Sequence, residues 1–300
     1  MRVVHSRKKV WDKDYAFEDG FTLLTWILSI IKWKEYGFTT VLYTDNETLT
    51  KIKEYGFDSL YDEIDTEYLN NNSEGIDFWC FWAMPKILSY KAEIEKGYTD
   101  SIVADMDIVP MSDLHKLFNL KMYDLVVWSN KEHVELQAVY PKLENLSLPK
   151  DYKLPSWFTG KARPLNTGVI YFKEHNKALG YINEVIKMAQ YNNNHKHNTR
   201  TQTMCSAEQR MLGEYAKANG LVYNTIQAVN EPLFNSKAFH THGYKQRLTE
   251  DKRVQFNINL LNMLPSNLYN KLVNDILFTK ELKHITEDST QKVKELQIYD

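Results

Sequence analysis

Residues 101–110 read Ser-Ile-Val-Ala-Asp-Met-Asp-Ile-Val-Pro, an apolar run followed by two aspartates one residue apart. The run is typical of a buried β-strand, and side chains two residues apart in an extended chain point to the same side. Asp105 and Asp107 can therefore converge on one divalent cation, because hard cations prefer oxygen ligands. Ligands of open α/β sheets bind beyond the carboxyl ends of the strands. The segment thus predicts a metal site at that edge of a sheet.

Strand-like and helix-like segments alternate along the rest of the chain. Strands are predicted over residues 2–6, 39–43, 61–64, 101–104, 124–128, 168–172, 221–223 and 225–229. Helices are predicted from residue 19 to Gly37, over 76–95 and over 177–190. A short helix should follow the capping residues 44–46 and end at Gly56, and another should run from an N-cap at Ser206 to Gly220. Pro85 should kink the helix over 76–95 or start a new one. The alternation favours an α/β sandwich with a mixed, mostly parallel sheet, and the last fifty residues are predicted to be helical.

The composition excludes several classes of protein. Lys and Arg number 37 and Asp and Glu 39, so no strong positive charge indicates a nucleic-acid partner. The two cysteines do not form a disulfide framework and are compatible with a reducing compartment. No signal peptide is recognised, and the longest apolar stretch, residues 21–31, is too short to span a bilayer. We expect a cytoplasmic protein.

Three segments downstream carry side chains that complement the aspartates. Asn166 and Gly168 precede a strand, where a glycine lets the backbone approach a ligand and an amide can bind sugar hydroxyls, although an ordinary turn is equally compatible. Glu208 and Gln209 begin a helix, where the helix dipole or a general-base role could explain the carboxylate.

The third segment, residues 240–245, reads His-Thr-His-Gly-Tyr-Lys. An imidazole can complete the coordination of a cation such as manganese, and either His240 or His242 could supply it. Lys245 could contact a diphosphate. A second Asp-x-Asp, at Asp12 and Asp14, has no strand before it and is interpreted as surface.

The order of these motifs resembles that of GT-A-fold glycosyltransferases, most of all the family-8-like branch and related bacterial sugar transferases. Their pattern runs Asp-x-Asp, Asn-x-Gly, Asp-Gln and His-x-x-Gly-x-x-Lys, and the resemblance covers roughly residues 1–245. This chain departs from it in three ways: Glu208 stands for the Asp, Lys245 falls one position early, and no Pro-Trp follows.

The resemblance implies a GT-A, Rossmann-like α/β/α sandwich. It also implies that the protein binds a nucleotide-diphosphate sugar, with a UDP-sugar favoured, and transfers the sugar to a glycan or another hydroxyl acceptor. The metal, Mn²⁺ or Mg²⁺, would be held by Asp105, Asp107 and His240. Lys245 would approach the phosphates, and Met106, between the aspartates, would contact the donor. Donor-binding roles are implied for Val4, His5, Ser6, Tyr43, Thr44, Asp45, Lys86, Gly168 and Gln209. Asn166 and Glu208 would lie at the reacting centre. Glu208 would be the base of an inverting reaction or a positioning group in a retaining one, and the resemblance favours retention.

We expect one catalytic domain over residues 1–300, because no repeat or linker divides the chain. Residues 1–110 would bind the nucleotide sugar, 111–250 the acceptor, and 251–300 would form a helical extension that packs on the domain or contacts a membrane surface or partner. The Asn-rich stretch 191–200 could close over the donor.

Two alternatives use the same residues. A nucleotidyltransferase or metal-dependent phosphoesterase could use the aspartates, but a sugar-activating nucleotidyltransferase should show a Gly-rich loop where residues 7–10 read Arg-Lys-Lys-Val. A non-catalytic carbohydrate- or nucleotide-binding protein is the other alternative, and an intact Asp-x-Asp argues mildly against it.

Overall fold

The computed structural model describes residues 1–9, 17, 20–119, 122–130, 132, 139–146, 148, 151–190, 200–227, 237–240, 259–260, 262–264 and 266. The strands are β1 (Arg2–Arg7), β2 (Thr39–Thr44), β3 (Glu63–Asp65), β4 (Ser101–Ala104), β5 (Ile108–Pro110), β6 (Leu125–Ser129), β7 (Asn166–Phe172), β8 (Tyr223–Gln227) and β9 (Ala238–His240). The helices are α1 (Gly20–Glu35), α2 (Asn46–Glu54), α3 (Tyr68–Asn71), α4 (Met84–Glu95), α5 (His115–Phe118), α6 (His175–Gln190), α7 (Arg200–Cys205) and α8 (Met211–Ala218). A π-helical turn, Ser206–Arg210, joins α7 to α8, and 3₁₀ turns cover Asp58–Leu60 and Leu143–Asn145.

Seven strands form the central sheet in the order β3-β2-β1-β4-β7-β6-β8. Strand β7 runs antiparallel to both of its neighbours, β4 and β6, and the remaining pairs are parallel. Strands β5 and β9 form a separate antiparallel pair. The predicted mixed, mostly parallel sheet is therefore confirmed.

Both faces of the sheet are buried, as near-continuous apolar strands require. Successive residues of β4 alternate between the two cores: Val103 packs in the cluster that contains α4, α6 and α8, whereas Ile102 and Ala104 pack on the other face. Helix α1 covers that other face and contacts β2 and β5. The predicted α/β/α sandwich is confirmed.

Helix boundaries follow local signals. Gly37, with φ +80°, lies just beyond the end of α1, in the left-handed conformation that glycine adopts without strain. Asp45 caps α2 by accepting a hydrogen bond from the Thr48 amide at 2.7 Å. Both signals are present in the sequence.

Three sequence predictions were wrong in detail. The helix predicted over 76–95 begins only at Met84, after a stretch of turns, although the new start at Pro85, one of the two predicted outcomes, is confirmed. Ser206 is not an N-cap, because the helix already runs from Arg200 and Ser206 lies inside it. The two strands predicted over 221–229 are a single strand, β8.

The prediction for the C-terminal extension falls almost wholly outside the described residues, as does the Asn-rich stretch 191–199. Among the described helices, none is long and apolar enough to cross a membrane.

Candidate metal and donor site

The two aspartates follow β4 in a tight turn. The Asp105 amide donates to the Gly168 carbonyl at 2.7 Å, which extends the β4–β7 pairing by one residue. The Ile108 amide then donates to the Asp105 carbonyl at 3.1 Å and closes the turn. The carboxylates converge as predicted, but the predicted extended geometry was wrong, since the chain folds back between them to start β5.

Strand β9 brings His240 to the aspartates. It pairs with β5 so that His240 is opposite Ile108. His240 Nε2 lies 3.3 Å from Asp107 Oδ1 and 3.7 Å from Asp105 Oδ2, and the indole of Trp128 packs edge-on against the imidazole. The two carboxylates and the imidazole each offer a ligand atom within 4.8 Å of the others.

This group fits a divalent cation. Ligands about 2.1 Å from an ion and in neighbouring octahedral positions lie roughly 3 Å apart, close to the observed separations. Two carboxylates with one imidazole suit Mn²⁺, and the oxygen ligands also suit Mg²⁺. Asp105, Asp107 and His240 could therefore hold a metal ion.

Gly168 makes room for the imidazole. A Cβ atom at this position would lie 2.9 Å from His240 Cε1 and 2.9 Å from Ile108 Cδ1, which is closer than real Cβ contacts. A glycine is therefore needed at position 168 for packing against His240 and Ile108. Its contact with a donor sugar stays a prediction.

Lys86 joins this group to a buried carboxylate. Its ammonium donates to Asp105 Oδ1 at 2.8 Å and to the Thr167 carbonyl at 2.8 Å, and it lies 2.6 Å from Glu208 Oε1. The lysine comes from the first turn of α4, and Glu208 comes from the π-helical turn.

Burial and charge shift the pKa values of both members of this pair. Burial raises the pKa of the Glu208 carboxyl, and the Lys86 ammonium opposes that rise. Burial also lowers the pKa of Lys86, but the charges of Asp105 and Glu208 outweigh it and raise that pKa overall. Lys86 is therefore a fixed positive charge beside Asp105.

The π-helical turn orients consecutive side chains to different partners. Glu208 points to Lys86, and its backbone carbonyl accepts from the Tyr181 hydroxyl at 3.1 Å. Gln209 accepts from the Tyr140 hydroxyl. Such single π turns inside helices are frequent at functional sites.

Asn166 has partners on both sides of its amide. Its Oδ1 accepts from the Gly168 amide at 3.0 Å, and its Nδ2 donates to Glu132 Oε1 at 3.1 Å. Glu132, shortly after β6, was missed in the sequence because neither a motif nor a periodic pattern marks it. Its carboxylate is half-buried and belongs to the same edge of the sheet.

The predicted donor residues of β1 and β2 are mostly buried. Val4 packs in the core, and Tyr43 is buried and donates to Glu93 Oε1 at 2.7 Å. Asp45 accepts from the Thr48 and Lys9 amides, Thr44 is buried, Ser6 is half-buried at the end of β1, and Met106 packs against the α1 core. Contacts of these residues with a base or ribose stay predictions.

His5 lies in a hydrogen-bonded chain behind the aspartates. Trp26 Nε1 donates to the Tyr61 oxygen at 2.6 Å, and that hydroxyl lies 2.9 Å from His5 Nδ1. On the other side of the ring, His5 Nε2 lies 3.3 Å from Ser29 Oγ, which donates to the Ile108 carbonyl at 2.5 Å. His5 thus supports the start of β5. His242 and Lys245 lie outside the described residues.

Three comparisons place these observations among known proteins. No protein-family model and no curated protein sequence matches the chain. Solved structures do match: galactosyltransferase LgtC in complex with donor and acceptor sugar analogues (10% identity, 90% of this chain and 100% of that one, TM-score 0.47) and an active-site mutant of LgtC (11%, 90% and 100%, 0.43). The apo bifunctional glycosyltransferase WbbM also matches, over 95% of this chain and 51% of its own length, with 12% identity and a TM-score of 0.40.

All three are glycosyltransferases. Because the identities and TM-scores are low, the proposal for this chain depends on the geometry of its own site.

Proposed function

We propose that this chain is a metal-dependent glycosyltransferase. It would move a sugar from a nucleotide-diphosphate sugar to a hydroxyl of a glycan, and a UDP-sugar is the donor that we favour. One observation carries the proposal: Asp105, Asp107 and His240 converge at the carboxyl end of β4, with the Lys86 ammonium bonded to the same cluster. A metal ion held by these ligands and the Lys86 ammonium would place two positive charges at the edge of the sheet where ligands of α/β proteins bind. Two such charges are suited to a diphosphate.

Two positive charges would stabilise the leaving group, which is the nucleoside diphosphate. Mn²⁺ or Mg²⁺ held by Asp105, Asp107 and His240 would act as a Lewis acid toward the negative charge that develops on the diphosphate. Lys86 supplies a second, preorganised positive charge, because its ammonium is held by Asp105, Glu208 and the Thr167 carbonyl.

We propose that the reaction retains the anomeric configuration. Glu208 is only 2% exposed and is paired with Lys86, so its carboxylate supports a positioning role better than that of a base for an incoming acceptor. The departing diphosphate would then accept the acceptor's proton. NMR of the first-formed product tests this, since an inverted anomeric centre would exclude retention.

The halves predicted from the sequence remain part of the proposal: residues 1–110 for the nucleotide sugar, 111–250 for the acceptor and 251–300 as an extension. Neither Cys80 nor Cys205 forms a disulfide, and both are buried. This supports the proposal that the protein is located in a reducing compartment such as the cytoplasm.

Calorimetry with a panel of nucleoside diphosphates and nucleotide sugars, each with and without Mn²⁺, tests the function. We expect one nucleotide to bind only with the metal, and the binding to vanish in Asp107→Asn and on addition of EDTA. Binding that ignores the metal would contradict the proposal. Metal-dependent binding without transfer to any acceptor would favour the non-catalytic alternative.

A further inference from the structure

Trp79 is an exposed aromatic side chain in the turns that precede α4. Its side chain is 52% exposed, and no other aromatic side chain in the described part of the chain is classed as exposed. The other large apolar side chains exposed there are Met111, Met122 and Val222. The part of the indole that is exposed is a large apolar surface, and covering it with a ligand would contribute stabilisation.

Two hydrogen bonds hold the Trp79 backbone, and a guanidinium contacts its ring. The Trp79 amide donates to Asp77 Oδ1 at 2.9 Å, and the Trp79 carbonyl accepts from Arg200 Nε at 2.6 Å. The Arg200 guanidinium lies over the indole, 5.1 Å from the ring centroid. The indole therefore extends from an anchored backbone, with the Arg200 guanidinium over the ring and the Asp77 carboxylate at the Trp79 backbone amide.

Both elements that hold the ring lead into the candidate site. The turns that contain Trp79 continue into α4, which carries Lys86, and Arg200 begins the helix that carries Glu208. The Ala83 amide contacts Met204 Sδ at 3.4 Å and links the two elements. Eight residues separate Arg200 from Glu208, which is roughly 12 Å along a helix.

A series of contacts links the cation-binding group to Trp79 through Lys86 and Glu208. Contacts run from His240 and Asp105 to Lys86, then to Glu208, and along α7 to Arg200 and Trp79. A diphosphate would occupy the cation end of this series. Trp79 is at the other end of the series, and we assign that end to the second substrate.

We infer that Trp79 is a stacking platform for a pyranose ring of the glycan acceptor, with Arg200 and Asp77 placed to bind its hydroxyls. The inference rests on the proposed function and deepens it. A pyranose presents a face of C–H groups rimmed by hydroxyls, and an indole beside charged hydrogen-bonding groups matches both features.

Saturation-transfer NMR with methyl glycosides of common hexoses and their disaccharides tests the platform. We expect wild-type protein to bind members of this panel, Trp79→Ala to weaken that binding about tenfold, or ~1.4 kcal/mol, and Trp79→Phe to retain most of it. Met122→Ala, at a residue that is 68% exposed elsewhere, is the matched control and should bind as wild type does.

Mn²⁺-dependent nucleotide binding, measured on the same preparations, separates this inference from the proposed function. We expect Trp79→Ala to leave it unchanged. Equal sugar binding by wild type and Trp79→Ala, or no sugar binding by the wild type, would overturn the platform. Loss of nucleotide binding in Trp79→Ala would assign the ring to the base and overturn it too. If the wild type binds sugars through Trp79 but binds no nucleotide, the ring remains a sugar-binding surface, and its assignment to an acceptor is overturned together with the proposed function.

Discussion

At the scale of single residues, the candidate site depends on side chains that are close but not interchangeable. Asp105 contacts Lys86 through one carboxylate oxygen and faces His240 with the other, whereas Asp107 faces His240. The two aspartates therefore make different contacts, and we expect the loss of either one to weaken metal affinity.

Replacing Asp105 or Asp107 by Asn should lower transfer and Mn²⁺-dependent nucleotide affinity at least about a hundredfold, because each removes a charged oxygen ligand. Circular dichroism should show an unchanged fold. Asp113→Asn, at an exposed aspartate that contacts His115, is the control. Full activity in either site variant would disprove the assignment.

Gly168→Ala tests whether the imidazole is held where the structure places it. The new methyl group would press on His240 and Ile108, so we expect a loss of about 1–3 kcal/mol in stability together with weaker Mn²⁺ binding. Calorimetry and urea unfolding measure the two effects.

Gly180→Ala is the matched control for this variant. Its methyl group would meet the Tyr215 hydroxyl, away from the aspartates. It should cost stability without changing metal affinity. Equal metal affinities in both variants would show that the His240 position does not matter for binding.

At the scale of elements, the helix from Arg200 to Ala218 organises the site and its surroundings. Its π-helical turn directs Glu208 to Lys86, while Arg210 reaches the segment between β6 and β7. In α8, Glu214 accepts from the Thr159 and Ala162 amides and so anchors the same segment. The helix thus positions a connection that has little regular structure of its own in the residues described.

Arg210→Met should lower the free energy of unfolding by about 2–3 kcal/mol. The guanidinium donates to the Pro141 carbonyl at 2.5 Å and to the Gly160 carbonyl at 2.9 Å, and removing it leaves these acceptors without a strong donor. Urea unfolding measures the loss. Lys217→Met, at an exposed position of the same helix, should change stability by less than about 0.5 kcal/mol, and similar losses in both would contradict the proposed role of Arg210.

At the scale of the whole molecule, a buried histidine couples global stability to pH. Burial lowers the pKa of His5 to about 3, although the charge of Asp107 opposes that shift. The hydrogen-bonded chain explains the neutral form: Nδ1 accepts from Tyr61, and the Nε2 proton goes to Ser29, whose own proton goes to the Ile108 carbonyl. A second proton on this ring has no acceptor in that chain.

Stability should therefore fall as the pH falls from about 6.5 toward 3. In this window the unfolded chain binds a proton at His5 and the folded chain does not, so the free energy of unfolding decreases with falling pH, by up to about 4 kcal/mol. Urea unfolding of wild type and His5→Gln between about pH 7 and pH 4 measures the difference. A smaller pH dependence is expected in the variant, and identical slopes would contradict the assignment.

The sequence by itself determined most of the strand and helix pattern and the α/β class, because apolar periodicity and capping residues act over a few neighbours. It also predicted that Asp105 and Asp107 converge, although through an extended chain where the structure has a turn. It also named His240, Lys86 and Glu208 as site residues through a resemblance of motifs. Only the tertiary structure decided that Lys86 pairs with Glu208, that Glu132 contacts Asn166, and that Trp79 stays exposed beside Arg200. These contacts join residues that are far apart in the chain, and they depend on which strands pair and which helix covers them rather than on local spacing.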